Sequence, residues 1–336
     1  MSSTSTTRMS VPHAREVVIT GIGLAVPGVA AYDDLLGPLP REGGFDVVTG
    51  LRGREMRHKD RASRLALRAA ESALRDAALL DAEGAFTGTA DSTAVVVSTN
   101  LGNADSVCEA ADTIWREGVT GLSPLGLPQT SSNVVAGWVA IRYGLRGPNL
   151  TICNGITSGL DALAWARNLI TAQRATTVLV VGVEPANDVA AKLLGERSTD
   201  AAAAVVLEPA GTAVGRGARP RAAVNGYARA RDLADALAAA GAAHEAPVGL
   251  WLGHEGNTGT KLLEATHRID LEARLGPLSG ALGVLQCAAA AAHLATAATG
   301  HVVATAGGQH HDAAAALLLT TPRTTRPSTQ KPEEHP

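Results

Sequence analysis

Hydrophobic and polar positions alternate along this chain in blocks of two kinds. Short, almost wholly apolar runs read as buried strands: Glu16–Gly23 (EVVITGIG), Ser92–Ser98 (STAVVVS), Leu150–Cys153, Thr177–Glu184 (TVLVVGVE), Asp200–Glu208, Ala222–Ala230, Val248–Gly253, His301–Ala306 and Ala314–Thr320. Longer blocks with apolar residues every three or four positions read as helices: Arg61–Leu80, Ala104 to about Gly118, Ser131–Tyr143, a helix from near Ser158 to Ala175, and Arg231–Ala243. In the first of these, Arg61, Arg64, Arg68, Glu71 and Arg75 make one polar stripe, expected to be solvated. In the second, Asp105 is the expected N-cap, and Ala104, Val107, Ala111 and Trp115 share a face. Gly280–Thr299 is apolar all round, which predicts a buried helix. Strand, helix, strand in this order implies right-handed crossovers in an α/β sheet. Two such sets flank a seam near residues 190–220. The expectation is two similar α/β halves, 16–200 and 201–320, stacked in layers around shared central helices. The polar ends, 1–15 and 321–336, are expected to be disordered tails.

Composition narrows the class. Of 336 residues, 46% are apolar and 18% charged, a globular balance with enough chain for a large core. A net charge of −3 offers no electrostatic reason for nucleic-acid binding. Cys108, Cys153 and Cys287 show no pair spacing, which suggests reduced thiols in a cytoplasmic setting. The nearest approach to a membrane span, Ala281–Ala298, is interrupted by Gln286 and His293, so no membrane partner is expected. The first residues lack an apolar leader segment and read as a loose tail.

Candidate chemistry concentrates in Gly147–Leu163, GPNLTICNGITSGLDAL. A short strand breaks through a turn of small residues into a helix N-terminus. Unpaired N–H groups there favour a thiolate or an oxyanion. The apex of the turn, however, is Ile156, which can neither attack nor ionise. Cys153 lies three residues earlier, in a strand where a thiol is expected to be inert packing. Asp161 reads as a favourable dipole partner of the helix. Other motifs fail on inspection. After Gly21 and Gly23 the third dinucleotide-fingerprint position is Val26, followed by Pro27. Thr157-Ser158-Gly159 lacks the glycine spacing of a serine elbow. His310-His311-Asp312 has no further ligands near it in sequence, so no metal is expected.

Taken together, VVITGIG, MRHKDRASRLALRAAESAL at Met56–Leu74, AIRYGLRGPNLTI at Ala140–Ile152, TSGLDAL and VLVVGVEP resemble, in order and spacing, the β-ketoacyl synthases of the thiolase fold. The resemblance covers most of Val17–Thr320 and implies a thiolase-like fold. An active member needs a Cys nucleophile, two His and a Lys. The resemblance places the Cys at Ile156, the first His at Gly256 (with His254 two residues away), the second His at Pro277 and the Lys at Glu272. All four groups are replaced, and no catalytic residue or cofactor is implied.

Silent relatives of this kind resemble the chain-length factor of type II polyketide synthases. That subunit pairs with an active ketosynthase as a heterodimer, closes the far end of the acyl tunnel, and meets acyl carrier protein mainly through its partner. The resemblance puts the tunnel lining at Ala104, Val107, Ala111 and Trp115. The small residues among them imply a deep cavity suited to a long or polyene-like chain, which Ala111→Phe should shorten. The rival expectation is a stand-alone acyltransferase or condensing enzyme using Cys153 or His254.

Overall fold

The computed structural model describes residues 16–38, 45–242, 248–253, 262–296, 300–308 and 311–323. Ten strands form its sheet: β1 (Val17–Ala25), β2 (Thr93–Ser98), β3 (Asn149–Ile152), β4 (Thr177–Glu184), β5 (Ala201–Pro209), β6 (Ala222–Ala230), β7 (Val248–Leu252), β8 (Ala265–Ile269), β9 (His301–Gly307) and β10 (Ala314–Thr320). Their order across the sheet is β3-β2-β4-β5-β1-β6-β10-β9-β7-β8. The first five strands run 1-5-4-2-3 outward from the centre, and the last five repeat that order as 6-10-9-7-8. Directions repeat as well. The two inner pairings of each half are antiparallel and the two outer ones parallel. A short antiparallel contact of Val18 and Ile19 with Ala223 and Ala222 joins the halves.

The two-half architecture therefore holds, and the break between halves, after Pro209 and before Ala222, lies at the expected seam near 190–220 but later than the expected boundary at 200/201. Ala201–Pro209 is hydrogen-bonded between β1 and β4, so it completes the first half instead of opening the second. β8 has no counterpart among the expected strands. Its sequence, ATHRI, is largely exposed and lacks the apolar run by which the other strands are recognised.

Five helices position the site: α1 (Arg61–Asp76), α2 (Ala104–Glu117), α3 (Val134–Tyr143), α4 (Ser158–Thr171) and α5 (Leu282–Thr296). α1 and α3 cover the outer face of the first half, where Leu65, Leu74 and Val139 pack on Val97, Val181 and Val206. α4 and α5 lie between the halves. Their Leu160, Leu163, Leu285 and Ala289 share one core with Val178 and Val205 of the first half and Val302 and Leu317 of the second. The two helices cross where only glycine fits. A Cβ on Gly159 would stand 2.6 Å from the Gly283 nitrogen, and one on Gly283 would collide with the Leu160 nitrogen. The stretch Ser279–Thr296 has the length and hydropathy of a membrane span, but it is mostly buried as this central element.

The stripe on α1 is less solvated than its charges suggest. Arg61 makes a two-pronged ion pair with the buried Asp200, at 2.7 and 2.5 Å, and Arg68 donates to the carbonyls of Gly50 and Arg52. Glu71 with Arg75, 3.0 Å apart, does behave as a surface i,i+4 pair. Asp105 lies inside the first turn of α2, and Asn103 holds the N-cap position.

Candidate functional site

The strand-to-helix elbow forms as expected. β3 ends at Ile152, a single turn spans Gly155–Thr157, and α4 starts at Ser158. Gly155 has a φ of +72°, a conformation that favours glycine. Ile156, at the apex, packs its side chain against the central core. The position suited to a nucleophile is here a packing residue.

The polar groups around the apex are tied to one another. Asn100, just after β2, donates from its amide nitrogen to the Gly155 carbonyl and to Ser279 Oγ, both at 2.9 Å. Its amide oxygen accepts from the Gly155 N–H at 3.1 Å and from Ser158 Oγ at 2.9 Å. One amide thus fastens the elbow to the loop before α5, and its donors and acceptor are all engaged. Glu184, ending β4 and only 4% exposed, accepts from the N–H groups of Asn100 (2.5 Å), Leu101 (3.1 Å) and Gly280 (3.1 Å). Burial outweighs these bonds and pushes its carboxyl up to about 7.

Asp161 is more than a dipole partner. It is buried and accepts from Thr157 Oγ1 and Asn154 Nδ2, both at 2.9 Å, and from the hydroxyl of Tyr227, with Arg229 Nε at 3.9 Å. Tyr227 and Arg229 belong to β6, so this cluster pins the elbow helix to the second half.

Cys153 departs from expectation. It lies beyond the end of β3, it is exposed, and β3 is itself a partly exposed edge strand. Its thiol is pushed up by partial burial and then by the nearby Glu184, so at neutral pH it is held as the weakly nucleophilic thiol. Of the other positions that the resemblance assigned to catalytic groups, Glu272 Oε1 accepts the Leu278 N–H at 2.8 Å and so anchors the loop that carries Pro277. Gly256 and His254 lie outside the described residues, as does His310. Among the described residues no group of three or more His, Cys, Asp or Glu side chains is placed to hold a metal.

The second feature is a set of exposed apolar side chains, concentrated on α2 and the turns after it. No residue of α2 is buried, and Val107, Ile114 and Trp115 face solvent, Trp115 at 86% exposure. Val119, Leu125 and Leu127 in the turns that follow, Ile141 on α3 and Trp165 on α4 are exposed too. The expected tunnel positions Ala104, Val107, Ala111 and Trp115 do share a face of α2. They line neither of the two cavities that flank this helix, which open instead against Ser106, Ala110 and Thr113 and against Asp105, Asp112 and Arg116.

Pattern reading misses Asn100, Glu184 and Ser279. A lone carboxylate closing a wholly apolar strand is the available signal for Glu184. Asn100 and Ser279 have none, because their role depends on two loops, about 180 residues apart in sequence, meeting in space.

A doubled β-strand order around two central helices, with a strand–elbow–helix beside the crossing, defines the thiolase-like fold. Within it, the β-ketoacyl synthase N-terminal domain model matches residues 30–201, and the chain belongs to that family. The "Granaticin polyketide putative beta-ketoacyl synthase 1" of Streptomyces violaceoruber is 30% identical over 177 residues, covering 45% of this chain and 42% of the relative. The "Actinorhodin polyketide putative beta-ketoacyl synthase 2" of Streptomyces coelicolor is 32% identical over 192 residues, covering 49% and 45%. The chain spans less than half the length of these curated relatives. Among solved structures, the ishigamide ketosynthase/chain length factor superposes with a TM-score of 0.66 at 24% identity, over 90% of this chain and 99% of the other. A type II polyketide ketosynthase in complex with its acyl-carrier protein superposes with a TM-score of 0.73 at 19% identity, over 91% and 99%. These likenesses show the fold.

Proposed function

We propose that this chain is a non-catalytic subunit of a type II polyketide synthase that pairs with an active ketosynthase and shapes the end of its acyl tunnel, as a chain-length factor does. The observation that carries the reading is Ile156 packed against the core at the apex of an otherwise intact elbow. Around it, the groups that would serve chemistry serve structure: Asn100 is fully engaged, and Glu272 anchors a loop. The exposed apolar side of α2 and the neighbouring turns supports a partner, since patches of this kind mark protein contacts. The relatives' polyketide names support the pathway. The growing chain would remain a thioester on the partner, in the cytoplasm, with carrier protein met mainly through that partner.

The rival, a stand-alone condensing enzyme or acyltransferase using Cys153 or His254, has a raised Cys153 pKa against it. Co-expression with a ketosynthase from the same source, followed by affinity capture, is expected to yield a complex. Incubation of the isolated chain with acyl-loaded carrier protein is expected to leave it unacylated by mass spectrometry. An acyl group on Cys153 would overturn the proposal.

A further inference from the structure

The charged residues of α2 follow a pattern of their own. Asp105, Glu109 and Asp112 recur at steps of four and three, with Arg116 four further on, so they form one row along the helix, and all are exposed. Asp112 and Trp115, three residues apart, are surface neighbours, so the acidic row borders the apolar row of Val107, Ala111, Ile114 and Trp115. With Val189 of the helix Asp188–Leu194, the acidic row lines a cavity of about 480 Å³. On the other flank, Ser106, Ala110 and Thr113 wall a cavity of about 440 Å³ under α2, between the turn at 58–60 and the loop 121–130.

Among the described residues, the carboxylates of Asp105, Glu109 and Glu117 have no ion pair or hydrogen bond; Asp112 pairs with Arg116 at 3.4 Å, an exposed contact that contributes little. Asp105 and Glu109 repel each other as an i,i+4 pair, and Glu117 stands at the negative end of the helix dipole. The row thus weakens the helix that carries it. The turns that extend the apolar surface, 118–133, hold no charged residue, so helix and turns together have four acids and one base. A two-fold pair presents the same patch on both of its subunits. A second copy seated on Trp115 would therefore set acid against acid with water excluded, where repulsion is strongest. A partner with cations at that border would gain attraction instead.

We propose that the acidic row Asp105, Glu109 and Asp112 selects what covers α2: it rejects a second copy of this chain and admits a protein face with an apolar groove for Trp115 bordered by Lys or Arg side chains. This selection rests on the pairing with a ketosynthase argued above, and it gives the physical reason that the partner is a different chain. The two rows divide the work. Opposite charge draws the partner in and fixes its register, so the acidic row acts on the rate of association and on its salt dependence. The apolar row, once desolvated, acts on how long the complex lasts.

The test uses the full chain and a ketosynthase from the same source, with association followed by surface plasmon resonance at low and high salt and the isolated chain followed by sedimentation velocity. Parent association is expected to slow roughly tenfold from low to high salt. The triple variant Asp105→Lys, Glu109→Lys, Asp112→Lys should associate roughly tenfold more slowly than the parent at low salt and should lose the slowing by salt. The triple variant Asp105→Asn, Glu109→Gln, Asp112→Asn removes the charge and keeps the shape. Isolated, it is expected to self-associate at concentrations at which the parent is monomeric, and adding Trp115→Glu should reverse this. Thermal melting of each variant is expected to match the parent, since the substituted side chains are exposed. If no ketosynthase associates with the parent, the pairing fails and the selection falls with it. If one associates, and the Lys variant matches the parent in rate and salt dependence, the pairing stands and the basic border is overturned. A parent that dimerises through Trp115, or an uncharged variant that stays monomeric, overturns the rejection of a second copy.

Discussion

Helices α2 and α4 each have 14 residues, each follows a strand of the same half, and each carries an apolar stripe. Their fates are opposite. α4 buries Leu160, Ala162 and Leu163 completely and meets α5 at a glycine crossing. α2 buries nothing and turns Val107, Ile114 and Trp115 to solvent. Amphipathic spacing says that a face will be covered and is silent on whether the cover is this chain or another. α4 builds the fold; α2 is built for something outside it.

The largest effect expected from breaking this contrast is at the crossing. Gly159→Val sets a branched side chain where even a Cβ would lie 2.6 Å from the Gly283 nitrogen and 2.8 Å from its Cα, contacts with backbone that no rotamer relieves. A loss of roughly 3 kcal/mol or more is expected, read as loss of soluble protein or as a collapse of the denaturant midpoint. A variant melting with the parent would mean that the central helices do not cross as described.

On the other side of the contrast, Trp115→Glu should leave the isolated chain's melting temperature unchanged, because the side chain touches solvent. Its affinity for the ketosynthase should fall about a hundredfold, or ~2.7 kcal/mol, as for an aromatic anchor at an interface. Isothermal titration or surface plasmon resonance measures it. Unaltered affinity would take α2 out of the interface.

The two regions also differ in how far the sequence reveals them. Buried parallel strands such as β2 and β4 are legible because both faces are covered and the run is wholly apolar. The elbow is legible because small residues must sit between a strand and a helix, and Ile156 at its apex is read from a motif. The exact boundary between halves is not legible, because the connection from β4 to β5, residues 185–200, is long enough to hold the helix Asp188–Leu194, and β5 has the pattern of a strand opening a new unit; only its pairing with β1 and β4 shows where it belongs. For Cys153 the apolar run that continues through it implies burial, yet β3 is a sheet edge, and edge position is a property of topology. The cavity under α2 is illegible for a similar reason. Its walls come from the turn at 58–60, the helix and the loop 121–130, and no periodicity links them.

Glu184 sharpens the contrast from within the elbow. Its carboxyl is raised from an ordinary 4.5 to about 7 by burial, against three N–H donors that favour the anion. A carboxyl with a raised folded-state pKa binds its proton more tightly in the folded chain than in the unfolded one. Its contribution to stability is therefore greatest below pH 4.5 and is lost as pH rises to 7. Glu184→Gln keeps an acceptor for the backbone N–H groups and carries no charge. The variant's stability relative to the parent should improve by roughly 2.5 kcal/mol between pH ~4.5 and pH ~7, gain a few tenths more, and level off above pH ~8. Urea unfolding at several pH values measures it. A constant difference across that range would show that Glu184 does not titrate between these values.

The smallest effect expected is also the one most directly aimed at function. Ile156→Cys returns a thiol to the apex, at the N-terminus of a 14-residue helix whose unpaired N–H groups favour a thiolate. It removes some apolar packing, at a cost of about 1 kcal/mol. Yet no carbon–carbon bond formation is expected from the isolated variant. Condensation requires donors for an enolate as well as a nucleophile, and Pro277 offers no N–H or titratable group. Glu272 is a carboxylate already engaged with the Leu278 N–H. The thiol should react with iodoacetamide, and at most be acylated slowly, without turning over malonyl-loaded carrier protein. Turnover by Ile156→Cys alone would mean that the remaining machinery survives in residues other than these, and that the elbow is one substitution away from an enzyme.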